Sequence, residues 1–132
     1  MSELKRIRAI DLKRGMAIIE NEWVAHLVLE VRPSDTGKTV LVTTVPTNGD
    51  KGQTRRYHSS TEFLVDDSVH HTVIADHWDG HSAVTNTDEE GARRTFGYFS
   101  ELMEQGEYKR VLWERSTNGG YTWAVVREAK AA

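Results

Sequence analysis

The stretch TDEEGARRTFGYFSELMEQG, residues 87–106, decides the fold of the second half of the chain. Thr87 stands three residues before Glu90, the spacing of a capping box, in which each side chain bonds a backbone N–H at a helix start. Apolar residues then recur at i, i+4, i+7 and i+11, which places them on one helix face: Ala92, Phe96, Phe99 and Met103. Gly106 suits the C′ position, where glycine adopts the left-handed conformation. The pattern predicts a helix from about residue 88 to residue 105 that packs on a sheet.

Strand patterns flank this helix on both sides. Before it, TVIADHW and HSAVTN are separated by Asp79-Gly80, one of the strongest signals for a two-residue hairpin turn. After it, YKRVLWER and YTWAVVRE are rich in the β-branched and aromatic residues typical of strands. Residues 72–128 are therefore predicted to form a ββαββ module, with one amphipathic helix on an antiparallel sheet.

The first 65 residues show a different pattern, in which turn residues interrupt short apolar runs at even intervals. Between residues 23 and 32 the side chains alternate with the period of a half-buried strand. The predicted inward face is Trp23, Ala25, Leu27, Leu29 and Val31. Five or six short strands in this length favour a small β-barrel over residues 1–65, so the fold class is α+β. The sequence leaves open whether the two modules share a core.

Four segments of the first half carry a resemblance to a known family. The order is IRAIDLKRGMAI, a strand that begins with Trp23, TGKTVLVTT and TRRYHSSTEFLV. This order resembles the SH3-like small-barrel proteins common in actinobacterial and phage genomes. The resemblance implies an interaction or nucleic-acid-binding module, in an accessory or regulatory role, with no shared catalytic residues to carry over.

The stretch STNGGYTW, residues 116–123, joins the last two predicted strands. Its spacing, Ser116-x-Asn118-x-Gly120-x-Thr122-Trp123, resembles the Asp-box hairpin of sialidases and several unrelated β proteins, with Asn118 where that family has Asp. The resemblance implies a self-contained turn and no glycosidase activity. Side-chain chemistry gives the same expectation, because Ser and Asn bond nearby backbone N–H groups and Gly supplies positive φ.

Composition excludes several functional classes. The chain has 132 residues, no cysteine and a formal net charge of −3, so disulfides and thiolate metal sites are excluded. No apolar run approaches the ~20 residues that span a bilayer, which predicts a cytoplasmic protein without a membrane partner. Residues 1–65 hold ten basic against eight acidic side chains, and residues 66–132 hold seven against twelve. Neither half has the basic excess typical of nucleic-acid-binding proteins.

The favoured hypothesis is non-catalytic protein binding. The chain contains four tryptophans, and exposed aromatic residues are the usual anchors of protein interfaces. The candidate contact residues are Trp78, Tyr98, Trp113, Tyr121 and Trp123. The acidic second half favours a basic partner, and a second copy of the chain is a further candidate partner. No motif for catalysis or for a cofactor is present.

A nucleic-acid-binding module is the first alternative. Arg55, Arg56, Tyr57 and His58 combine two guanidinium groups with an aromatic ring, which could stack a base and hold a phosphate.

A metal-dependent hydrolase is the second alternative. His70, His71, His77 and His81 lie within twelve residues, and imidazole suits zinc. A two-residue turn at Asp79-Gly80 would place Trp78 opposite His81 and turn His77 to the other face, which argues against a shared metal.

Overall fold

A computed structural model of the chain describes residues 4–132. The protein is mostly β, with two antiparallel sheets and one α-helix. It divides into two compact units, the first ending at Ser68 and the second beginning at Val69. Among the described residues, no helix combines the length and the apolar character needed to cross a membrane.

The first unit is a six-stranded sheet. Its strands are β1 (Leu4–Arg8), β2 (Ala17–Ile19), β3 (Ala25–Pro33), β4 (Thr39–Pro46), β5 (Gln53–His58) and β6 (Glu62–Asp66). They pair in the order β1-β6-β2-β3-β4-β5, and every pairing is antiparallel. A short 3-10 helix, Ala9–Asp11, follows β1.

The core of the first unit lies on the concave side of this sheet. Buried side chains come from the segment after β1 and from three strands: Ala9, Leu12, Val28, Val40, Val42 and Val65. Tyr57 of β5 packs the edge of its ring on Phe63 of β6, with ring centroids 4.9 Å apart. Strands β5 and β6 are not neighbours in the sheet, so this contact requires strong curvature. Within residues 4–132, no ladder of hydrogen bonds joins β1 to β5.

The alternation predicted for residues 23–32 is wrong in part. The pairing of β3 with β4 shifts register between Val28 and Glu30, which marks a β-bulge at Leu29. As a result Val28 is buried and Leu29 is 43% exposed. Trp23 precedes β3, in the turn after β2, and is 82% exposed. Of the predicted inward face, Ala25 is buried and the tryptophan lies in solvent.

The second unit is a four-stranded sheet with a helix on one face. Its elements are β7 (His70–His77), β8 (Ser82–Thr87), α1 (Glu89–Glu104), β9 (Tyr108–Ser116) and β10 (Ala124–Lys130). The strand order is β10-β9-β7-β8. The core forms between the sheet and the apolar stripe of α1, from Val73, Ala75, Ala92, Phe96, Tyr108, Val111 and Trp113. The amphipathic helix predicted from the sequence is confirmed.

The two ends of α1 differ in how well the sequence predicted them. The N-cap is Asp88, whose Oδ1 accepts the N–H of Gly91 over 2.7 Å, so the predicted Thr87–Glu90 box is wrong. Thr87 instead ends β8 and pairs with His71. Gly106 has φ +90° and donates to the carbonyl of Met103, while Glu107 donates to that of Leu102. These two bonds form a Schellman motif, as the position of Gly106 led us to expect.

The hairpin between β7 and β8 is longer by one residue than predicted. His77 donates its N–H to the carbonyl of His81, so the loop is Trp78-Asp79-Gly80. Gly80 has φ +94°, the left-handed residue that closes a three-residue hairpin loop. The predicted pairing of Trp78 with His81 is therefore wrong, and Trp78 lies at the tip of the loop.

Candidate binding surfaces

The tip of the β7–β8 hairpin presents a tryptophan that is both exposed and fixed. Trp78 is 61% exposed, and its indole N–H donates to the carbonyl of Gly106 over 3.1 Å. That carbonyl belongs to the turn that ends α1. The hydrogen bond ties the loop to the helix, so the ring is held in one orientation while its faces remain open to solvent.

A row of aromatic rings continues from this loop to the helix. His77 packs on Tyr108 with ring centroids 4.4 Å apart, and Phe99 meets Tyr108 edge-on at 5.2 Å. Tyr98 follows at 5.6 Å from Phe99 and is 60% exposed. Tyr98, the exposed ring at the helix end of the row, is therefore supported by buried or half-buried rings, and His77 at the other end directly precedes Trp78 in the chain.

The charges around Trp78 are mainly negative. Asp79 follows it in the loop, and Glu101, Glu104 and Glu107 are exposed at or just beyond the end of α1. The last turn of α1 contains no basic residue, so these carboxylates add to the negative end of the helix dipole. The basic residues nearest along the chain are His77 and His81, on either side of the loop, and Lys109 and Arg110 in β9. We call Trp78, Asp79, Tyr98, Glu101, Glu104 and Glu107 the Trp78 surface.

Asp79 is held in its ionised form. Its carboxylate accepts the backbone N–H of His81 over 3.0 Å, and its second oxygen lies 3.1 Å from Nδ1 of the same histidine. These bonds, the backbone one first, keep the pKa of Asp79 below its usual value of 3.8. The carboxylate therefore contributes a full negative charge beside Trp78 at neutral pH.

The other predicted contact residues lie in different environments. Trp113 is only 4% exposed and packs in the core, so it is not accessible to a partner and that prediction is wrong. It faces the helix because it pairs with Val73 in the centre of the sheet. Tyr121 and Trp123 are 38% and 40% exposed and belong to the loop between β9 and β10.

That loop closes on its own side chains, as the residue pattern predicted. Oγ of Ser116 accepts the N–H of Gly120 over 2.8 Å, and Oδ1 of Asn118 accepts the N–H of Thr122 over 3.0 Å. Nδ2 of Asn118 donates to Oγ1 of Thr122 over 2.8 Å, a bond that an ionised aspartate could not donate. Trp123 completes the loop by donating its indole N–H to the carbonyl of Gly120.

A cavity of about 330 Å³ lies beside this loop, within the second unit. Its lining includes His71, Asn86, Thr87, Trp123 and the consecutive glycines Gly119 and Gly120. The start of β7, the end of β8 and the loop before β10 therefore meet here. A second cavity, of about 280 Å³, lies in the first unit, where Arg55 and Tyr57 share a wall with Glu20 and His26.

The predicted nucleic-acid segment does not form one surface. It lies on β5, the edge strand, where Arg55 and Tyr57 line the cavity and the intervening Arg56 and the following His58 alternate to the opposite face. Arg56 donates to Oγ1 of Thr39, and Nδ1 of His58 bonds Oγ of Ser60. Tyr57 is half-buried on Phe63. The structure thus places one guanidinium, and not two, beside the ring.

The four histidines of the metal hypothesis are also separated. His70 and His71 begin β7 and His77 ends it, about 20 Å away at the usual rise of a strand. His71 bonds Trp113, His77 packs on Tyr108 and His81 pairs with Asp79. Within residues 4–132, no group of three or more His, Asp or Glu side chains could hold a metal ion.

One exposed aromatic was missed from the sequence. Trp23 lies in the turn after β2, where Oδ1 of Asn21 accepts the N–H groups of Trp23 and Val24. This is the local chemistry of an Asx turn. The signal was the asparagine two residues before the tryptophan, which marks Trp23 as a turn residue rather than the first residue of a strand.

Comparisons with known proteins gave only distant similarities. No protein-family model matches the chain, and no curated protein matches it. A translation initiation factor eIF-5A family protein from Naegleria fowleri is similar in structure, with 15% identity, a TM-score of 0.45, and coverage of 95% of this chain and 97% of that one. The eukaryotic translation initiation factor 5A from Methanococcus jannaschii has 11% identity, a TM-score of 0.48, and coverage of 97% and 98%. At these identities and TM-scores, neither similarity assigns a function to the chain.

Proposed function

We propose that this protein is a non-catalytic binding factor whose Trp78 surface takes up a basic segment of a partner protein. The observation that carries the proposal is the indole of Trp78, which is 61% exposed yet fixed by its bond to the carbonyl of Gly106. The exposed faces of this ring bury no apolar surface when the chain folds, so they contribute nothing to the stability of the fold. Its orientation is nevertheless fixed, which is the property of an interface anchor.

Pre-organisation supports this role in energetic terms. A side chain that is already held in its bound orientation loses little rotamer entropy when a partner covers it. Tryptophan and tyrosine dominate the binding energy of protein interfaces, and Tyr98 provides a second exposed ring at the helix end of the row that begins at His77. Trp78, fixed by its hydrogen bond, and Tyr98, packed on Phe99, thus offer apolar contacts that need no rearrangement.

The charges favour a cationic partner. Asp79, Glu104 and Glu107 flank the two groups of the Trp78–Gly106 bond in the chain, and all three are exposed. A Lys or Arg side chain could lie over the indole face and reach one of these carboxylates, which combines a cation–π contact with an ion pair. Acidic side chains at a helix C-terminus oppose the helix dipole, so their presence there is a cost to folding that a basic partner would offset. The same charges disfavour nucleic acid.

The proposal is tested by titrating the full chain into labelled short peptides rich in Lys and Arg, with Asp/Glu-rich peptides of equal length as the charge control. We expect binding of the basic peptides only, with affinity that falls as salt is raised. Trp78→Ala should weaken it about tenfold or more, since removing an anchor residue typically costs this much. Trp23→Ala is the matched control, because Trp23 is 82% exposed and lies in the other unit.

A second pair of variants tests the charges separately. Glu104→Gln combined with Glu107→Gln should weaken basic peptides and reduce the salt dependence, because fewer ion pairs form. Glu22→Gln combined with Glu62→Gln makes the same change in net charge at exposed sites of the first unit. Equal effects of the two pairs, equal binding by Trp78→Ala, or no binding of any basic peptide would each overturn the proposal.

We also propose that the first unit is an SH3-like small barrel. The curvature that brings Tyr57 of β5 against Phe63 of β6 supports this architecture. Nuclear Overhauser effects between the two rings test it, because a flat sheet would keep β5 and β6 far apart. Their absence in the folded chain would contradict the barrel.

A further inference from the structure

Strand β8 forms one edge of the sheet of the second unit and differs from the other sheet edges. Within residues 4–132, the sheets of the two units end in the edge strands β1, β5, β8 and β10. All of these except β8 carry charged side chains: Lys5, Arg6 and Arg8 on β1, Arg55 and Arg56 on β5, and Arg127, Glu128 and Lys130 on β10. Strand β10 also contains a bulge between Val125 and Arg127. Charges and bulges on an edge strand oppose the addition of a further strand.

Strand β8 has none of these protective features. Its sequence from Ser82 to Thr87, SAVTNT, contains no charged residue and no proline, and its pairing with β7 shows no shift of register. Val84, near its centre, is 59% exposed. Among the edges of the described residues, β8 is therefore the one that is open to an added strand.

The backbone groups that an added strand would bond belong to Ser82, Val84 and Asn86. His77 donates its N–H to the carbonyl of His81, so these two residues form a hydrogen-bonded pair beside the loop. Hydrogen-bonded and non-hydrogen-bonded pairs alternate along an antiparallel ladder. Every second residue of β8 counted from His81 therefore bonds β7, and the three residues between them turn their N–H and C=O groups to the free edge. All three are exposed.

A second copy of β8, placed antiparallel to the first, matches these three residues with one another. In the register that places Val84 opposite Val84 of the second copy, Ser82 of each copy faces Asn86 of the other. Each of these pairs can exchange two backbone hydrogen bonds. Sliding the copies by two residues leaves either Ser82 or Asn86 without a strand residue opposite, and sliding them by one residue opposes groups that point to β7.

The same register opposes compatible side chains. The two exposed Val84 side chains cover each other across the axis. The hydroxyl of Ser82 donates to Oδ1 of Asp76 over 2.6 Å, so its oxygen can still accept a hydrogen bond. Oδ1 of Asn86 accepts the hydroxyl of Thr72 over 2.8 Å, which leaves the amide N–H groups of Asn86 to donate. Asn86 of one copy can therefore donate to Ser82 of the other.

We propose that this protein forms a symmetric dimer through β8, in which the edge strands of two copies pair antiparallel about a two-fold axis at Val84. The two sheets then continue into one another across the axis. A contact between two identical patches is the usual geometry of soluble homodimers. The dimer rests on the free edge of β8 and is independent of the basic partner proposed for the Trp78 surface.

The charge of the chain predicts how the dimer responds to salt. Each copy has a formal net charge of −3. In the register above, Asp79 of one copy and Asp88 of the other meet at the same end of the paired strands. Because salt screens repulsion between like charges, the dimer should strengthen as salt is raised. Binding of basic peptides to the Trp78 surface should weaken under the same change, so the two properties can be separated.

The experiment measures the mass of the full chain by analytical ultracentrifugation. The concentration runs from about 10 μM to about 1 mM, since a single pair of strands makes a small interface and a weak dimer. Val84→Lys should weaken the dimer about tenfold or more, because two like charges then face each other across the axis. Val125→Lys is the matched control, because Val125 is 60% exposed on β10, and it should leave the dimer unchanged.

A mixture of two variants tests the register. Val84→Glu alone should weaken the dimer as Val84→Lys does, whereas an equimolar mixture of the two should dimerise, because opposite charges then meet at position 84. A monomer throughout the concentration range would overturn the proposal and leave the edge to a strand of another protein. Equal dimerisation by Val84→Lys, equal weakening by Val125→Lys, or no recovery in the mixture would overturn it as well.

Discussion

The indole N–H of Trp113 donates to Nδ1 of His71, from β9 to β7, in the interior of the second unit. The two rings also pack together, with centroids 5.9 Å apart. This contact explains why a tryptophan and a histidine can both be buried, because the indole N–H of Trp113 and Nδ1 of His71 satisfy each other.

Once one partner of this pair has been replaced, replacing the other should cost less stability than it does in the unmodified chain. His71→Phe leaves the buried indole N–H without an acceptor, which should lower the free energy of unfolding by about 1–3 kcal/mol. Trp113→Phe leaves Nδ1 without its donor and also creates a cavity. The double variant should therefore be less destabilised than the sum of the single variants, as measured by urea denaturation. Strict additivity would show that the hydrogen bond contributes nothing.

The stability of the loop of residues 116–123 should depend strongly on the hydrogen bonds of the Asn118 side chain and only weakly on whether that side chain is neutral or charged. Asn118 is 3% exposed, and its side chain holds both the N–H and the hydroxyl of Thr122. Asn118→Ala should lower the free energy of unfolding by about 2 kcal/mol, because buried groups lose their partners.

Asn118→Asp is the matched control for this loop. The carboxylate keeps the acceptors, and the hydroxyl of Thr122 can turn to donate, so the loss should stay below about 1 kcal/mol. Urea denaturation compares the two variants, and the amide shifts of Gly119 and Gly120 report whether the loop is intact. An alanine variant as stable as the aspartate one would contradict the role of the side chain.

Asp79 should titrate below the usual range of an aspartate. Its pKa is lowered first by the backbone N–H of His81 and then by the side chain of that residue. His81→Ala keeps the backbone donor, so it should raise the pKa of Asp79 only part of the way to 3.8.

The pH dependence follows from the direction of this shift. A lowered pKa in the folded state means that the carboxylate favours folding above the unfolded pKa, and that this contribution is lost as the pH falls through the folded pKa. Carboxyl-carbon NMR titration measures the pKa directly. A value for Asp79 at or above 3.8 in the unmodified chain would contradict the hairpin geometry.

Local chemistry explains the features that were predicted correctly from the sequence. The helix follows from an apolar stripe that any sheet would cover, and its end follows from Gly106 in a left-handed turn. The loop of residues 116–123 is also local, because its bonds span only a few residues. Such features need no knowledge of distant partners.

Features that depend on one residue of register were predicted wrongly. A bulge at Leu29 changes which side chains of β3 are buried, and an extra residue in the β7–β8 loop moves Trp78 to its tip. Shifting the register of a strand by one residue exchanges its buried and exposed faces. The alternation of apolar and polar residues therefore cannot show where a bulge or an extra loop residue lies. The same limit applies to Trp113, whose burial depends on its pairing with Val73, which is distant in the chain.

The two glycines within α1 should respond in opposite ways to alanine. At Gly97 a Cβ would meet nothing within 4 Å, so Gly97→Ala should stabilise the protein by about 0.5–1 kcal/mol through the lower backbone entropy of alanine in the unfolded chain. At Gly91 a Cβ would overlap Oγ1 of Thr87 and lie 3.1 Å from Oδ1 of Asp88.

Gly91→Ala should therefore destabilise the protein by about 1–3 kcal/mol, despite the better helix propensity of alanine, because the added methyl forces the N-cap apart. Thr87 is β-branched and has few rotamers through which to yield. Combining Gly91→Ala with Thr87→Ala removes the overlapping oxygen and should recover most of the loss. Urea denaturation of the three variants and the unmodified chain, at matched denaturant slopes, makes the comparison. If both glycine variants gain stability equally, the close approach of β8 to the start of α1 is wrong.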